Sequence, residues 1–200
     1  RFDPQPIAEL IAQHRVTALA GVPTMYARLF EYIGNASVDV SSLRLIDVGG
    51  GPVSDRLKKE LIDDFGIEVV ESYGLSEISP VASAQIPGIA QREGSCGPAL
   101  PGVEVRVVDA NDRDLPCGEA GELLFRSETF MVGYWNQPEL TAQTLRDGWL
   151  HSGDIGIVDE RGEIHIRDRI KDIIVSSGNN VYPKEVENAI IEITAVQSVA

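Results

Sequence analysis

Between His151 and Asp172 the sequence reads HSGDIGIVDERGEIHIRDRIKD, a short apolar alternation with charge gathered at its two ends. Asp154 stands before the first alternating stretch, and Asp168, Arg169 and Lys171 stand at the exit of the second. A carboxylate in such a place can accept both hydroxyl hydrogens of a ribose, and a hydrogen bond to a charged group contributes roughly 1.5–3 kcal/mol. Arg169 can hold the same sugar or pair with Asp154; an exposed ion pair alone would contribute only about 0–1 kcal/mol. Asp168 and Lys171 read as the finish of a strand and the start of a linker.

A second group lies in ESYGLSE, Glu71 to Glu77. Tyr73 offers a ring to stack on a base, Gly74 removes a side chain, Ser76 offers a hydroxyl and Glu77 an oxygen ligand for a hard cation. A solvated loop with one buried tyrosine is the plainer reading. A third group is VGGGPVS, Val48 to Ser54, with Gly49, Gly50 and Gly51 in a row. Either a ligand approaching the main chain closely or a tight strand-to-helix turn explains such a run. The spacing matches neither G-x-G-x-x-G nor the lysine-containing phosphate loop. Histidine contributes little: His151 reads as a turn residue packed near Trp149, His14 as a helix position and His165 as a strand-face residue. None has a second ligand at zinc spacing. Cys96 and Cys117 lack close-spaced partners and read as reduced, half-buried thiols.

The elements around these groups follow from periodicity. Ile7, Leu10, Ile11 and His14 share a helix face, and Val16–Val22 is a short apolar strand. Pro23 opens a helix with Tyr26, Leu29, Phe30 and Ile33 as its stripe and Gly34 as its stop. Leu43–Val48 is the next strand, and Ser54 caps a helix burying Leu57, Leu61, Ile62 and Phe65. Ile67–Glu71 is a third strand, so that ligands are expected at the carboxyl edge where ESYGLSE begins. After about Gln91 the pattern becomes hairpin-like: Val103, Val105 and Val107 alternate, a turn runs through Pro116-Cys117-Gly118, and GELLFRS follows. Asn136 and Glu139 form a capping box for a helix from Pro138 to Leu145. A hairpin with Ile155 and Ile157, then Ile164 and Ile166, turns at Arg161-Gly162. Beyond it come a strand, Ile173–Ser176, and a helix, Lys184–Ile191. The class expected is α/β: part of a mostly parallel sheet with flanking helices (1–92), then a small antiparallel β-barrel-like module (93–169), then the truncated start of an α+β unit (170–200).

Two hundred residues with 17 Lys+Arg against 31 Asp+Glu carry a formal charge of −14. That balance argues against a broad nucleic-acid footprint but not against a small anion held by local loops and cations. No apolar run is long enough to span a bilayer, and a cytoplasmic protein is expected.

Taken in order, GGGPVS, YGLSE, GYWNQPELTAQTLRDGWLHSGD and IRDRIKDIIVSSGNNVYPKEVE resemble the AMP-forming adenylate-forming enzymes, most closely the acyl-CoA synthetases. The resemblance implies activation of a carboxylic acid by Mg-ATP to an acyl-adenylate and pyrophosphate, then transfer to coenzyme A. It implies that Gly49–Gly51, Glu71, Ser72, Tyr73 and Gly74 line the nucleotide pocket, with Tyr73 stacked on adenine. Ser76 would face the α-phosphate, Glu77 would hold Mg²⁺, and Asp154 with Arg169 would grip the ribose. Lys171 would be the hinge of a C-terminal lid that begins at residue 170, and Ser177 and Gly178 would lie in its CoA-side loop. Val22, Thr24, Met25, Leu75 and Val81 are candidates for the acyl pocket. Ser76 and Ser152 stand where Thr is usual, keeping the hydroxyl and losing a methyl, and Gly51 stands where Ala is commoner, leaving that wall slightly roomier. SSGNN lies where SGG-x-N is frequent.

The phosphate-cradling loop of the family is expected before Arg1, and the late lid lysine after Ala200, so that this stretch alone is not expected to adenylate. The partners implied are a small carboxylic acid, ATP and CoA, with no nucleic acid and no integral membrane segment; a homodimer is left open. A peptide-synthetase adenylation domain would carry Asn where Glu71 stands and R-x-D-x-Q-V-K in place of RDRIKD. A luciferase-like enzyme shares the first half-reaction. A non-catalytic nucleotide-binding module is the alternative of another class, separated from an enzyme by turnover.

Overall fold

The computed structural model describes residues 2–51, 53–176, 179–191, 193, 196 and 199. Ser177 and Gly178 lie outside these. The first unit alternates helix and strand: α1 (Pro4–His14), β1 (Ala18–Gly21), α2 (Pro23–Ala36), β2 (Leu45–Val48), α3 (Asp55–Asp63) and β3 (Glu68–Gly74). β1, β2 and β3 pair in parallel, and β4 (Val81–Ala84) closes the four-stranded sheet antiparallel to β3.

Local chemistry sets the helix starts. Asp3 accepts the Gln5 N–H at 3.2 Å, and Ser54 accepts the Leu57 N–H at 3.3 Å, so both helices begin on side-chain caps. The stripe Tyr26, Leu29, Phe30 and Ile33 is wholly buried against Ile46, Val48, Leu61 and Val69. Phe65 meets Phe30 edge-on at 4.8 Å between centroids. Three expectations fail here. Leu10 and Ile62 are 45% and 46% exposed, because Ala8 and Ile11 turn to the core on α1 and Leu57 and Leu61 on α3. Gly34 does not stop α2; Ser37, at φ 51°, does so three residues later.

The second unit is a five-stranded antiparallel, half-barrel-like sheet. β5 (Glu104–Val108) pairs β6 (Gly121–Arg126), β6 pairs β8 (Trp149–Val158), and β8 also pairs β7 (Leu145–Arg146) and β9 (Ile164–Arg169). Its core holds Val107, Leu123, Phe125, Leu150 and Ile164, together with Ile78 and Ala82 from β4 and the turn before it. Tyr73 and Leu75 pack on the same cluster. The exit of β3 therefore belongs structurally to the second core, although its strand starts in the first sheet.

Helix α4 (Pro138–Thr144) begins at Gln137 without a side-chain cap. The expected Asn136–Glu139 capping box does not form: Asn136 takes a left-handed φ of 51°, and Thr141 Oγ1 instead accepts the Tyr134 N–H at 2.9 Å. Ile155 and Ile157 are only half-buried; Leu150 and Ile164 fill the core positions of this hairpin. Cys117 is exposed rather than half-buried, with its thiol donating to the Val158 carbonyl at 3.3 Å. A two-stranded sheet, β10 (Ile174–Ser176) with β11 (Asn179–Val181), and α5 (Pro183–Ile191) follow a single 3₁₀ turn at Ile170–Asp172. Among the described residues no helix is long and apolar enough to cross a membrane.

Candidate functional site at the exit of the third strand

The charges at the two ends of the opening stretch meet. Asp154 and Arg169 are register partners across β8 and β9, and the Arg169 Nε lies 3.3 Å from Asp154 Oδ1. Asp154 is not ahead of the strand, as the pattern had indicated, but in the middle of β8, where it is 4% exposed. The Tyr73 hydroxyl, from β3 in the other sheet, donates to Asp154 Oδ2 at 2.6 Å. Burial, and then the charge of Asp154, push the Tyr73 phenol well above the usual tyrosine range, so it stays protonated and donates. Its ring lies tilted against Phe125 at 5.8 Å.

A buried carboxylate is costly unless it is paired and hydrogen-bonded. Tyr73 and Arg169 supply partners from two different strands, and Arg169 keeps 59% of its side chain exposed. The group is thus fixed from beneath and open on the arginine side. A surface ion pair would not need this burial.

Glu77 lies in a 3₁₀ turn, Ser76–Ile78, just past β3. Its Oε1 accepts the Tyr134 hydroxyl at 2.5 Å, and its carbonyl accepts the Met131 N–H at 2.8 Å. Burial, and then the hydrogen bond to Glu77, raise the Tyr134 phenol, again favouring a donor. Glu77 and Tyr134 line a hollow of about 230 Å³ together with Leu75, Glu122, His151, Ser152 and Gly153. The segment Ser152–Gly153–Asp154 therefore joins the two groups: its first two residues wall the Glu77 hollow, and its third meets Tyr73. Ser76 is exposed beside it.

The glycine loop reaches the same edge. A side chain added at Gly49 would come within 3.1 Å of Ser72 Oγ, and Gly50 takes a left-handed φ of 74° beside Val22. Gly51 is exposed and would meet only Pro23, at an ordinary 3.8 Å. Turn geometry thus accounts for Gly50, but packing does not require a glycine at 51.

Other expected site residues have structural employment. A side chain on Gly74 would sit 1.9 Å from the Pro80 carbonyl oxygen, so the close approach of the chain leading into β4, antiparallel to β3, requires glycine there. The Glu71 side chain turns to α3 and pairs Lys58 at 3.0 Å. Val22 precedes α2 and Thr24 and Met25 are in its first turn; Val81 begins β4. Leu75 lines the Glu77 hollow, which none of those four does. Lys171 is exposed in the turn after β9.

His151 does not pack as a turn residue. It lies in β8, 3.2 Å from Glu122, and accepts from Arg146 Nε at 2.8 Å. Trp149 instead has the guanidinium groups of Arg106 and Arg126 over its ring, at 5.0 and 4.6 Å from the centroid. Two acid–histidine groupings, Asp112–Glu122–His151 and Asp159–Glu163–His165, each already have an arginine bonded to a member, Arg146 and Arg92 respectively. Tyr134 and Glu122 were not anticipated. Tyr134 reaches Glu77 from the loop before α4, and Glu122 reaches Gly153 from β6 to β8; both contacts join residues far apart in the chain.

Known proteins resemble this chain along its whole length. Residues 1–135 match the model of the family described as AMP-binding enzyme. The chain is 40% identical over all its 200 residues to a feruloyl-CoA synthase from an Amycolatopsis species, covering 40% of that protein. It superposes on the amide bond synthetase McbA from Marinactinospora thermotolerans with a TM-score of 0.88 and 36% identity, covering all of this chain and 41% of that one. With O-succinylbenzoate coenzyme A synthetase from Bacillus subtilis, solved with ATP and a magnesium ion, the TM-score is 0.87 at 31% identity, over 99% of this chain and 41% of that one. The chain spans about two fifths of the length of the curated relatives it matches most fully. With the family model covering two thirds of the chain and the fold superposing from end to end, this chain belongs to the AMP-binding enzyme family.

Proposed function

We propose that the polypeptide carrying this chain is an ATP-dependent carboxylic acid–CoA ligase of the AMP-forming type, and that this chain supplies the nucleotide-holding part of its active site. The observation that carries the reading is Asp154, buried between Tyr73 and Arg169 at the carboxyl edge of the first sheet. A carboxylate offers about four acceptor positions, so it can receive the two ribose hydroxyls while Arg169 flanks the sugar. Tyr73, Ser72 and the glycine loop Gly49–Gly51 would bound the adenine. The backbone of Glu71 and Gly74 would complete that wall.

Glu77 suits a magnesium ion: it is an oxygen ligand on a polar hollow, and Mg²⁺ is usually held by one or two carboxylates together with substrate phosphates. When bound, the ion neutralises charge that builds on the phosphate oxygens. Ser76 would face the α-phosphate from the same turn. The chain's part is then positioning: it holds the nucleotide so that the acid's carboxylate oxygen attacks the α-phosphorus as the bond to pyrophosphate breaks. Transfer to the thiol of CoA would follow after rotation about Lys171, bringing the loop of Ser177 and Gly178 to the site. Val22, Thr24, Met25, Leu75 and Val81 would border the acyl group. Relatives named for feruloyl and long-chain fatty acyl groups point to a largely apolar acid, handled in the cytoplasm.

ATP–pyrophosphate exchange by the full-length polypeptide, with ferulate, a long-chain fatty acid and O-succinylbenzoate offered in parallel, tests the reading. Acid-dependent exchange and a CoA thioester product are expected. Absence of exchange with every acid, in protein that binds AMP, would favour a non-catalytic nucleotide-binding module instead.

A further inference from the structure

Asp154 owes its place to an irregularity in β8. Glu122 of β6 pairs Ile155, and Leu124 pairs His151, so the single residue Leu123 faces three residues, Ser152, Gly153 and Asp154. Two extra residues are thereby lifted out of the ladder with β6. On the other flank the register between β8 and β9 also shifts, just after Ile155. Gly153 has a left-handed φ of 71°.

A bulge releases backbone groups that must find partners, and here two side chains supply them. Ser152 Oγ donates to the Leu123 carbonyl at 2.6 Å and accepts the Asp154 N–H at 3.0 Å. Glu122 Oε1 accepts the Gly153 N–H at 3.1 Å, while its other oxygen lies 3.2 Å from His151 Nδ1. Glu122 and His151 are 18% and 11% exposed in their side chains, and Arg146 braces the histidine from behind. The clamp is thus a partly buried carboxylate fixed on one side and gripping the residue before Asp154 on the other.

We propose that Glu122 is a positioning residue for nucleotide recognition: by holding the Gly153 N–H it sets the bulge that aims Asp154 at the ribose. The proposal rests on the reading of Asp154 as the ribose acceptor. It predicts an effect confined to the ribose hydroxyls, which loss of general stability would not produce.

Equilibrium titration of the full-length polypeptide with AMP and with 2′,3′-dideoxy-AMP tests it. The wild type should prefer AMP by roughly tenfold or more, the size of a lost hydrogen bond to a charged group. Asp154→Asn should bring that ratio close to one. Glu122→Leu, which keeps bulk but removes the acceptor, should do the same while leaving dideoxy-AMP affinity within about twofold of wild type. Glu122→Gln, whose amide oxygen can accept the Gly153 N–H, should keep most of the preference. Equal weakening of both nucleotides by Glu122→Leu, or a Gln variant no better than the Leu variant, would overturn the proposal while leaving the Asp154 reading intact. A wild type indifferent to the ribose hydroxyls would instead overturn the Asp154 reading itself. If Glu122→Leu does not fold, Glu122→Ala, which also removes the acceptor, is read in the same way: a collapsed ratio with dideoxy-AMP affinity kept supports the clamp, and an unchanged ratio overturns it.

Discussion

The two sheets of this protein are built to different standards of regularity. The first is helix-backed and parallel in unbroken register across β1 to β3, with α1 and α3 starting on side-chain caps, and it shifts register where β3 meets β4, between Tyr73 and Gly74. The second is antiparallel and interrupted where β8 leaves register with both neighbours. The candidate site residues gather at that interruption. Tyr73 comes from the regular sheet, but its partner Asp154 stands in the bulge, and the Glu77 hollow is walled by the residues just before it. The first sheet thus supplies Tyr73, and the bulged strand of the second brings Asp154 against its hydroxyl.

Equal damage to the two cores should separate these roles. Phe30→Ala and Phe125→Ala each empty a site that is about 1% exposed or less, and each should cost roughly 3–5 kcal/mol in denaturant unfolding. Only Phe125→Ala should also lower the preference for AMP over its dideoxy analogue, because Phe125 backs the Tyr73 ring. An equal effect of both on that preference would break the contrast.

A smaller effect is expected from Tyr73→Phe, which removes the hydroxyl donated to Asp154. Withdrawing one partner from a buried acceptor should destabilise by about 1–3 kcal/mol and weaken AMP binding, as calorimetric titration would register. Ser54→Ala removes the cap of α3 in the regular unit and should cost about 1 kcal/mol with AMP affinity unchanged. A change in affinity there would show that the two regions are coupled more tightly than their packing indicates.

The mildest expectation concerns alkaline pH. Burial raises the phenols of Tyr26 and Tyr73, and neighbouring carboxylates, Asp47 and Asp154, raise them further. Their folded values exceed the unfolded value of about 10, so their contribution to stability is whole below that pH and declines as pH climbs above it toward the folded values. Ultraviolet titration should show these two phenols ionising late in the native protein, and Asp154→Asn should bring Tyr73 down while leaving Tyr26 in place. A Tyr73 that titrates normally in the wild type would contradict its contact with Asp154.

Legibility in the sequence follows the same division. The α2 stripe and the Ser54 cap were visible because helical period and capping act within a few residues. The meeting of Asp154 and Arg169 was anticipated from their places at opposite ends of one stretch. Their setting is not legible: a bulge of two residues in β8 has no local signature beyond Gly153, and the apolar alternation alone puts Asp154 ahead of the strand in which it sits. The Asn136–Glu139 pair shows the converse, a local motif overruled because Thr141 ties the Tyr134 backbone instead. Gly74 reads as a position without a side chain, but the sequence does not show that the carbonyl filling that space is Pro80's, beyond a turn whose path the residue types do not specify. Strand β4, short and made of small residues, was missed for the same reason.

The central claim is that a nucleoside monophosphate lies across the seam of the two sheets with its ribose on Asp154. A crystal structure of the full-length polypeptide with AMP tests this most directly. Ribose hydroxyl oxygens are expected within hydrogen-bond reach of the Asp154 carboxylate, with the base beside Tyr73. AMP bound at another face, or bound here with its sugar turned away from Asp154 and Arg169, would contradict it.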